Sequence, residues 1–551
     1  MPNQPAETVR LKPISLLPAH HPQVVREPQR PSWGRGELMA FTANFVVGTG
    51  FLTLPHAIAQ SGIILGSCIV VAAGVVAVLA SDCVLETMAR AVVVEQVRKD
   101  GSFAAEVLVS QVSLEYGSVD NSTTVSSSPR PPKQHGSTTS KRDPPLRWET
   151  NRYEKNKWVV GSERVDMPRL CELFLGERGK FWYVTSACSY IYVSLWAYAV
   201  LVAHTLAVSM PLYGTITSSA DDATSSAGRK SYHTYLIFFG AATIVLSLQN
   251  LAGKFMTFLN LAFTWGRGFM ALLMVITLGF ALFRRAASLE GPGDDDLDSS
   301  SSSLQPAPMV RVAGLPEMLP TALFAFIFHH SIPTLAEPAR DKASIGQTLA
   351  WTVWLIVMAY LLISIPAVLY FGKDTLPAVS LNWDTYKPTY WGALADFVRA
   401  WVVFFPAISL VSTYPLMCIT LANQLESMGE QYFGQRPRYF CRLFAAIPPL
   451  ILAAAMNDLG LVTSLAGVCG FVVTLVFPVK LQRGSRRKCD EIFGPGHSDT
   501  VHTTWFTSQP RAVAILGLLG AVLTASLGLG LIYELVIEPF IVVVNANGNW
   551  A

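Results

Sequence analysis

Charge is scarce in this sequence: 14% of the residues are Asp, Glu, Lys or Arg, against 51% that are hydrophobic. Soluble domains carry about 25% charged residues and need them to cover a wetted surface. A soluble globular chain is excluded on that ground. Net charge is low too, at +3, which leaves no basic footprint for nucleic acid. Enzyme signatures are missing: there is no Walker loop, no dinucleotide fingerprint and no His-Glu-x-x-His helix. The chain therefore shows no means of spending ATP and calls for no cofactor and no metal. Residues 1–35 are rich in Pro and polar side chains and lack the apolar core of a cleavable signal peptide. The first apolar run is expected to remain in the membrane.

What the sequence has instead is apolar blocks of the length that crosses a ~30 Å hydrocarbon core. Eleven are read at 38–60, 63–88, 181–210, 232–248, 255–283, 315–336, 346–371, 397–421, 439–456, 460–479 and 512–537. The fold class expected is an all-α polytopic membrane protein. Lys and Arg crowd one set of connections, among them Arg90, Arg98, Lys99, Arg340, Lys342, Arg483, Arg486, Arg487 and Lys488. That bias places the N-terminus in the cytoplasm and, with an odd span count, the tail outside or in a lumen. Arg284 and Arg285 run against the bias without reversing it.

The expected organisation is an N-terminal arm over 1–36, two spans over 37–90 and a cytoplasmic loop over 91–177. Three spans follow over 178–283, then an acidic, serine-rich loop over 284–314 on the opposite side. Five more spans occupy 315–480, a cytoplasmic loop 481–511, and the last span with its tail 512–551. All eight cysteines then fall in spans or cytoplasmic segments, so no disulfide is expected. The sequon at Asn121 falls in the cytoplasmic loop and is expected to stay unmodified. The Ser/Pro/Asp-rich stretches 119–145, 212–229 and 289–308 read as flexible connections, and the loop from Arg90 to Pro168 is long enough to recruit a cytoplasmic partner.

Within lipid, an interrupted helix is tolerated only where it lines a cavity or is buried in protein. Two spans carry such interruptions. The first reads Asn44-Phe45-Val46-Val47-Gly48-Thr49-Gly50, with Pro55 following; the sixth reads Phe328-His329-His330-Ser331-Ile332-Pro333. First and sixth are corresponding positions if two five-helix halves repeat, and paired interruptions of that kind point to a transporter site. The bland alternatives are close packing at the glycines and a satisfied structural histidine. Arg267, inside the fifth span, is expected to pair with Glu86 or Asp82 of the second. Ser409, Ser412 and Thr413 of the eighth span either coordinate a cation or bond back to their own helix. Asp396 and Arg399 read as a helix-surface pair, and Tyr190, Tyr192 and Trp196 as packing.

The run from Asn44 to Gly66 resembles the first-helix signature of the amino acid/auxin permease superfamily. Two further segments, Glu163 to Phe174 and Phe324 to Lys342, resemble its transmembrane protein 104 family. The resemblance implies a five-plus-five inverted-repeat fold, the amino acid–polyamine–cation transporter fold, with an eleventh helix and with helices 1 and 6 unwound. It implies secondary active transport of an amino acid or related small solute, coupled to H⁺ or Na⁺. By carry-over, substrate would be held at Asn44, Val47, Gly48, Thr49 and Gly50 and at Phe328, His329, His330 and Ser331. The coupling cation would sit at Asn44, Ser409, Ser412 and Thr413, and His329 and His330 would be proton-linked. These two histidines stand where the superfamily has a glycine-rich break. An endolysosomal, vacuolar or plasma membrane would house such a protein. Two other readings stay open: a receptor of the same fold that binds a solute without moving it, and a membrane acyltransferase using an intramembrane histidine.

Overall fold

In a computed structural model, residues 33–48, 50–100, 157–161, 165–213, 226–248, 254–290, 306–384, 392–433, 438–496 and 498–532 are described. The expectations for the arm before residue 33, for Thr49, for the loop 119–145 with its sequon and for the tail 538–551 fall outside them. Among the described residues the protein is helical, with two isolated β-bridges and no strand. Among the described residues nine helices are long and apolar enough to cross a membrane, and a bent pair near the N-terminus makes a tenth if it is one span. A shorter apolar helix, Tyr439–Ala455, coincides with the ninth span of the sequence reading. The outer surface agrees with lipid as its solvent: Trp265, Ile237 and Phe283 are each more than 70% exposed.

The first span is split into α1 (Arg35–Val46) and α2 (Gly50–Ser61), bent by 57°. Next come α3 (Ile63–Asp100), α4 (Met167–Ser209), α5 (Ser226–Leu248) and α6 (Lys254–Glu290). In α4 the helix kinks at Gly176, whose φ of 75° is open to glycine without a Cβ penalty. The sixth span is split into α7 (Leu315–Phe324) and α8 (Ile332–Ala336). Then follow α9 (Ile345–Phe371), α10 (Ala393–Phe433), α11 (Arg438–Ala455) and α12 (Leu459–Phe471). A π-helical stretch, Val472–Val476, joins α12 to α13 (Phe477–Phe493); a short α14 (Trp505–Ser508) leads into α15 (Pro510–Ile532). The central layer is α4 packed on α10 and α12, with α12 in turn against α7 and α2 against α7.

The end of the bundle that holds Arg35 is closed by chain segments rather than helices. Trp33 pairs with the strand-like stretch after α8, its amide donating to the Pro338 carbonyl at 2.8 Å and its carbonyl accepting from Arg340 at 3.0 Å. Arg35 and Asp341 add an ion pair at 3.2 Å. Beside them, Arg90 is wholly buried and donates to the Ser498 carbonyl, Gln482 and Ser485 at 2.7, 2.8 and 3.1 Å. It also pairs with Glu86, one turn back on its own helix. This corrects the sequence expectation that Glu86 would serve Arg267: the Glu86–Arg90 spacing of four is already a helix-surface pair. Arg399 likewise reaches out of α10 to Asp384, at 3.4 Å.

The connection between α13 and α14 covers this network and brings His502 under it. His502 is buried, with Nδ1 packed beside Gly346 and Asp82, and burial pushes its imidazole from 6.5 down to about 4. The unfolded chain therefore binds a proton between these values that the folded chain does not, so stability rises with pH across that window. The expected result is a melting midpoint that falls as pH drops from about 6.5 toward 4. His502→Gln should flatten that dependence. Equal slopes for wild type and variant in a detergent-solubilised melting series would contradict it.

Candidate functional site

Why the first span breaks is visible in its backbone. Val47 leaves the helical region at φ −78° and ψ 75°, and the Gly48 amide turns back onto the Val46 carbonyl at 2.8 Å. The helix resumes at Gly50, where a Cβ would lie 2.6 Å from the Cα of Ala325. Glycine at 50 is what lets the two interrupted spans touch. The sixth span stops at Phe324, and the chain from Ala325 to Phe328 is irregular before a 3₁₀ turn at His329–Ser331. Pro333 then falls in the first turn of α8, where a missing N–H costs nothing. The break thus precedes the His pair instead of lying at the proline. Tyr360 of α9 clamps both breaks, its hydroxyl 3.4 Å from the Val46 carbonyl and 3.1 Å from that of Ala325.

Arg267 of α6 is buried at the first break. It donates to the Asn44 carbonyl at 3.2 Å, to the Asn44 side-chain oxygen, and to the Thr413 hydroxyl at 3.1 Å. Its partners are therefore Asn44 and Thr413, not Glu86 or Asp82 as the sequence reading had it. A narrow cavity of about 10 Å³ opens here, walled by Gly48, Phe51 and Leu52, by Arg267, and by Pro406 and Ser409 of α10. Phe51 and Leu52 belong to the first turn of α2, whose amides have no intrahelical acceptor. A helix N-terminus and a guanidinium thus face one cavity, and both favour an anion. Tyr198 of α4 lies beside Gly48, its hydroxyl 3.2 Å from where a Cβ of Gly48 would stand.

The structure brings Asn44, Gly48, Ser409 and Thr413 together around Arg267. The hydroxyls of Ser409 and Thr413 also bond back to Pro406 and Ser409, at 2.9 and 3.1 Å. The side chain of Ser412 lies outside the described residues. His329 and His330 stand apart, against other elements. His329 Nε2 lies 2.9 Å from the Ala77 carbonyl of α3, which makes it the protonated nitrogen. Both ring nitrogens of His330 are buried without a partner among the described residues, and the ring packs 5.6 Å from that of Tyr190. Tyr190 and Tyr198 are eight residues apart on α4, so the His pair sits about 12 Å along that helix from the cavity wall. Phe328 and Ser331 are buried within the same turn, Ser331 bonding its amide to the Phe328 carbonyl at 2.8 Å. The π-helical stretch after α12 packs on this turn.

Sequence reasoning noted Arg267 without assigning it a role, and missed Tyr198 and Tyr360. A phenol in mid-membrane needs a partner for its hydroxyl, and that was the available signal.

The transmembrane protein 104 homolog of Drosophila melanogaster is 24% identical over 482 residues, covering 83% of this chain and 89% of its own. Transmembrane protein 104 of Gallus gallus is 23% identical over 489 residues, covering 85% and 91%. Among solved structures, a manganese transporter of Eremococcus coleocola in complex with an aromatic bis-isothiourea substituted compound matches with a TM-score of 0.48 and 13% identity. That match covers 93% of this chain and 92% of the other. The description "Transmembrane amino acid transporter protein" matches residues 169–482, from α4 into α13. More than half of the sequence is thereby accounted for, and a multi-pass transporter rather than an enzyme is what it encodes: the chain belongs to the transmembrane amino acid transporter family.

Proposed function

We propose that the protein moves an amino acid across its membrane, with the substrate carboxylate seated between the first turn of α2 and Arg267. The observation that carries this reading is the single cavity wall shared by Gly48, Phe51, Leu52 and Arg267. A carboxylate there would meet two sources of positive potential in low dielectric, where each is worth most. At about 10 Å³ the cavity has room for about one water-sized group, so a bound amino acid requires its walls to part. The meeting of the first- and sixth-span breaks supports a five-plus-five arrangement around the site.

Arg267 also bears on coupling. Its guanidinium takes the oxygens of Asn44 and Thr413 that the sequence reading assigned to a cation, and it keeps its charge at every physiological pH. A permanent cation at that place removes the need for Na⁺ and cannot itself carry a proton. Proton linkage then falls to the histidines, and His330 is the better placed, since neither of its nitrogens is occupied. Uptake measured from pH ~5 to ~8, a range bracketing the ordinary imidazole, should change its profile in His330→Gln. His329→Gln should keep the wild-type profile, because its protonated nitrogen is spent on Ala77. An unaltered profile in His330→Gln would remove this histidine from coupling.

A further inference from the structure

A second cavity lies far from the substrate site, between α13 and α15 with α4 behind it. Its volume is about 820 Å³, and its wall carries Lys480, Arg483, Arg486 and Arg487 against two carboxylates, Asp490 and Glu491. Lys480, Arg483 and Arg487 are spaced three and four apart, which sets them on one face of α13.

The cations are not equivalent. Arg486 is committed to the fold, donating to the Thr507 and Ser508 carbonyls at 3.2 and 2.7 Å and so bracing α14. Arg487 is paired with Glu491 at 2.9 Å. Lys480 and Arg483 are exposed and make no hydrogen bond or ion pair among the described residues. Arg483 and Asp490 are seven residues apart, about 10 Å along the helix. The half of the cavity nearer the apolar part of the span is therefore purely cationic. That half begins directly after the apolar run ending at Val479, where the sequence turns from apolar to charged. Its remaining wall is mostly apolar, from Leu175, Pro510 and Val513, with Gln482 and Thr507 its neutral polar members.

Cations beside an apolar wall at the membrane boundary suit an amphiphile with an anionic head. We infer that this cavity binds the phosphate-bearing headgroup of an anionic lipid, held by Lys480 and Arg483 with its acyl chains along Leu175 and Val513. Basic pockets between membrane helices on the Lys/Arg-rich face recognise such headgroups through this chemistry. Nothing in this inference depends on which solute the protein carries.

The test uses the full chain purified in a non-ionic detergent, with dioctanoyl phosphatidic acid titrated in and bound lipid counted by native mass spectrometry. Wild type should bind it more tightly than dioctanoyl phosphatidylcholine. Lys480→Ala with Arg483→Ala should weaken phosphatidic acid binding about 30-fold, the effect of losing two juxtamembrane cations. The charge-conserving pair Lys480→Arg with Arg483→Lys should retain it, and both double variants should melt with the wild type because neither residue has a partner to lose among the described residues. Equal binding in the alanine variant, or equal binding of phosphatidylcholine, would overturn the inference. So would displacement by inorganic phosphate at the concentration of the lipid, which would mark a site for a soluble phosphate.

Discussion

Arg267→Ala is expected to lower substrate affinity by about a hundredfold or more, the scale of a buried charge-assisted contact removed from its ligand. The same substitution leaves three oxygens facing an emptied space: the Asn44 carbonyl, the Asn44 side chain and the Thr413 hydroxyl, all now spent on the guanidinium. Hard oxygen donors of this kind suit a small monovalent cation. The variant should therefore recover part of its activity in Na⁺, which the proposed mechanism does not require of the wild type. Arg267→Lys should fall between the two, since an ammonium is a point charge and cannot span both partners as a planar fork does. Binding by isothermal titration, with Na⁺ and with choline, measures this directly. Full activity of Arg267→Ala in choline would show that the guanidinium has no part in substrate binding.

The second large effect separates two neighbouring glycines. Gly48→Leu should fold and melt close to the wild type yet lose binding, because its side chain enters the cavity. Its Cβ would meet only the end of a side chain, the Tyr198 hydroxyl at 3.2 Å, which can shift by a few tenths of an ångström. Gly50→Leu should fail differently. There the Cβ would press on the Ala325 backbone at 2.6 Å, and α2 and α7 could not keep their contact. Overpacking of that kind costs about 1–3 kcal/mol or more, so reduced folded yield is expected before any effect on binding is read. Fluorescence-detected size exclusion beside a binding assay distinguishes the two outcomes. Equal behaviour of the two variants would mean that the cavity wall is misassigned.

The spans were legible because lipid imposes a length and a composition on every crossing segment. The first break was legible too, since Gly48 and Gly50 are poor helix formers in mid-span. The sixth was only half legible. Its helix stops at Phe324, and Ala325, Phe326, Ile327 and Phe328 contain nothing that breaks a helix locally. The interruption there belongs to tertiary structure: Gly50 pressing on Ala325, and Tyr360 taking the Ala325 carbonyl. The partners of Arg267 were illegible for the same reason. Charge alone pointed to Asp82 and Glu86, whereas the packing of α6 on α1 and α10 delivers Asn44 and Thr413. The competing claim of Arg90 on Glu86, one turn away in sequence, was the clue that charge counting passed over.

The central claim is that this chain carries an amino acid without Na⁺. Uptake of a panel of labelled amino acids into proteoliposomes holding the wild-type protein, in choline buffer with and without a proton gradient, tests it most directly. The account predicts accumulation of at least one amino acid, enhanced by the gradient and unchanged when Na⁺ replaces choline. Uptake that appears only in Na⁺, or no uptake of any amino acid by protein that remains folded, would contradict it.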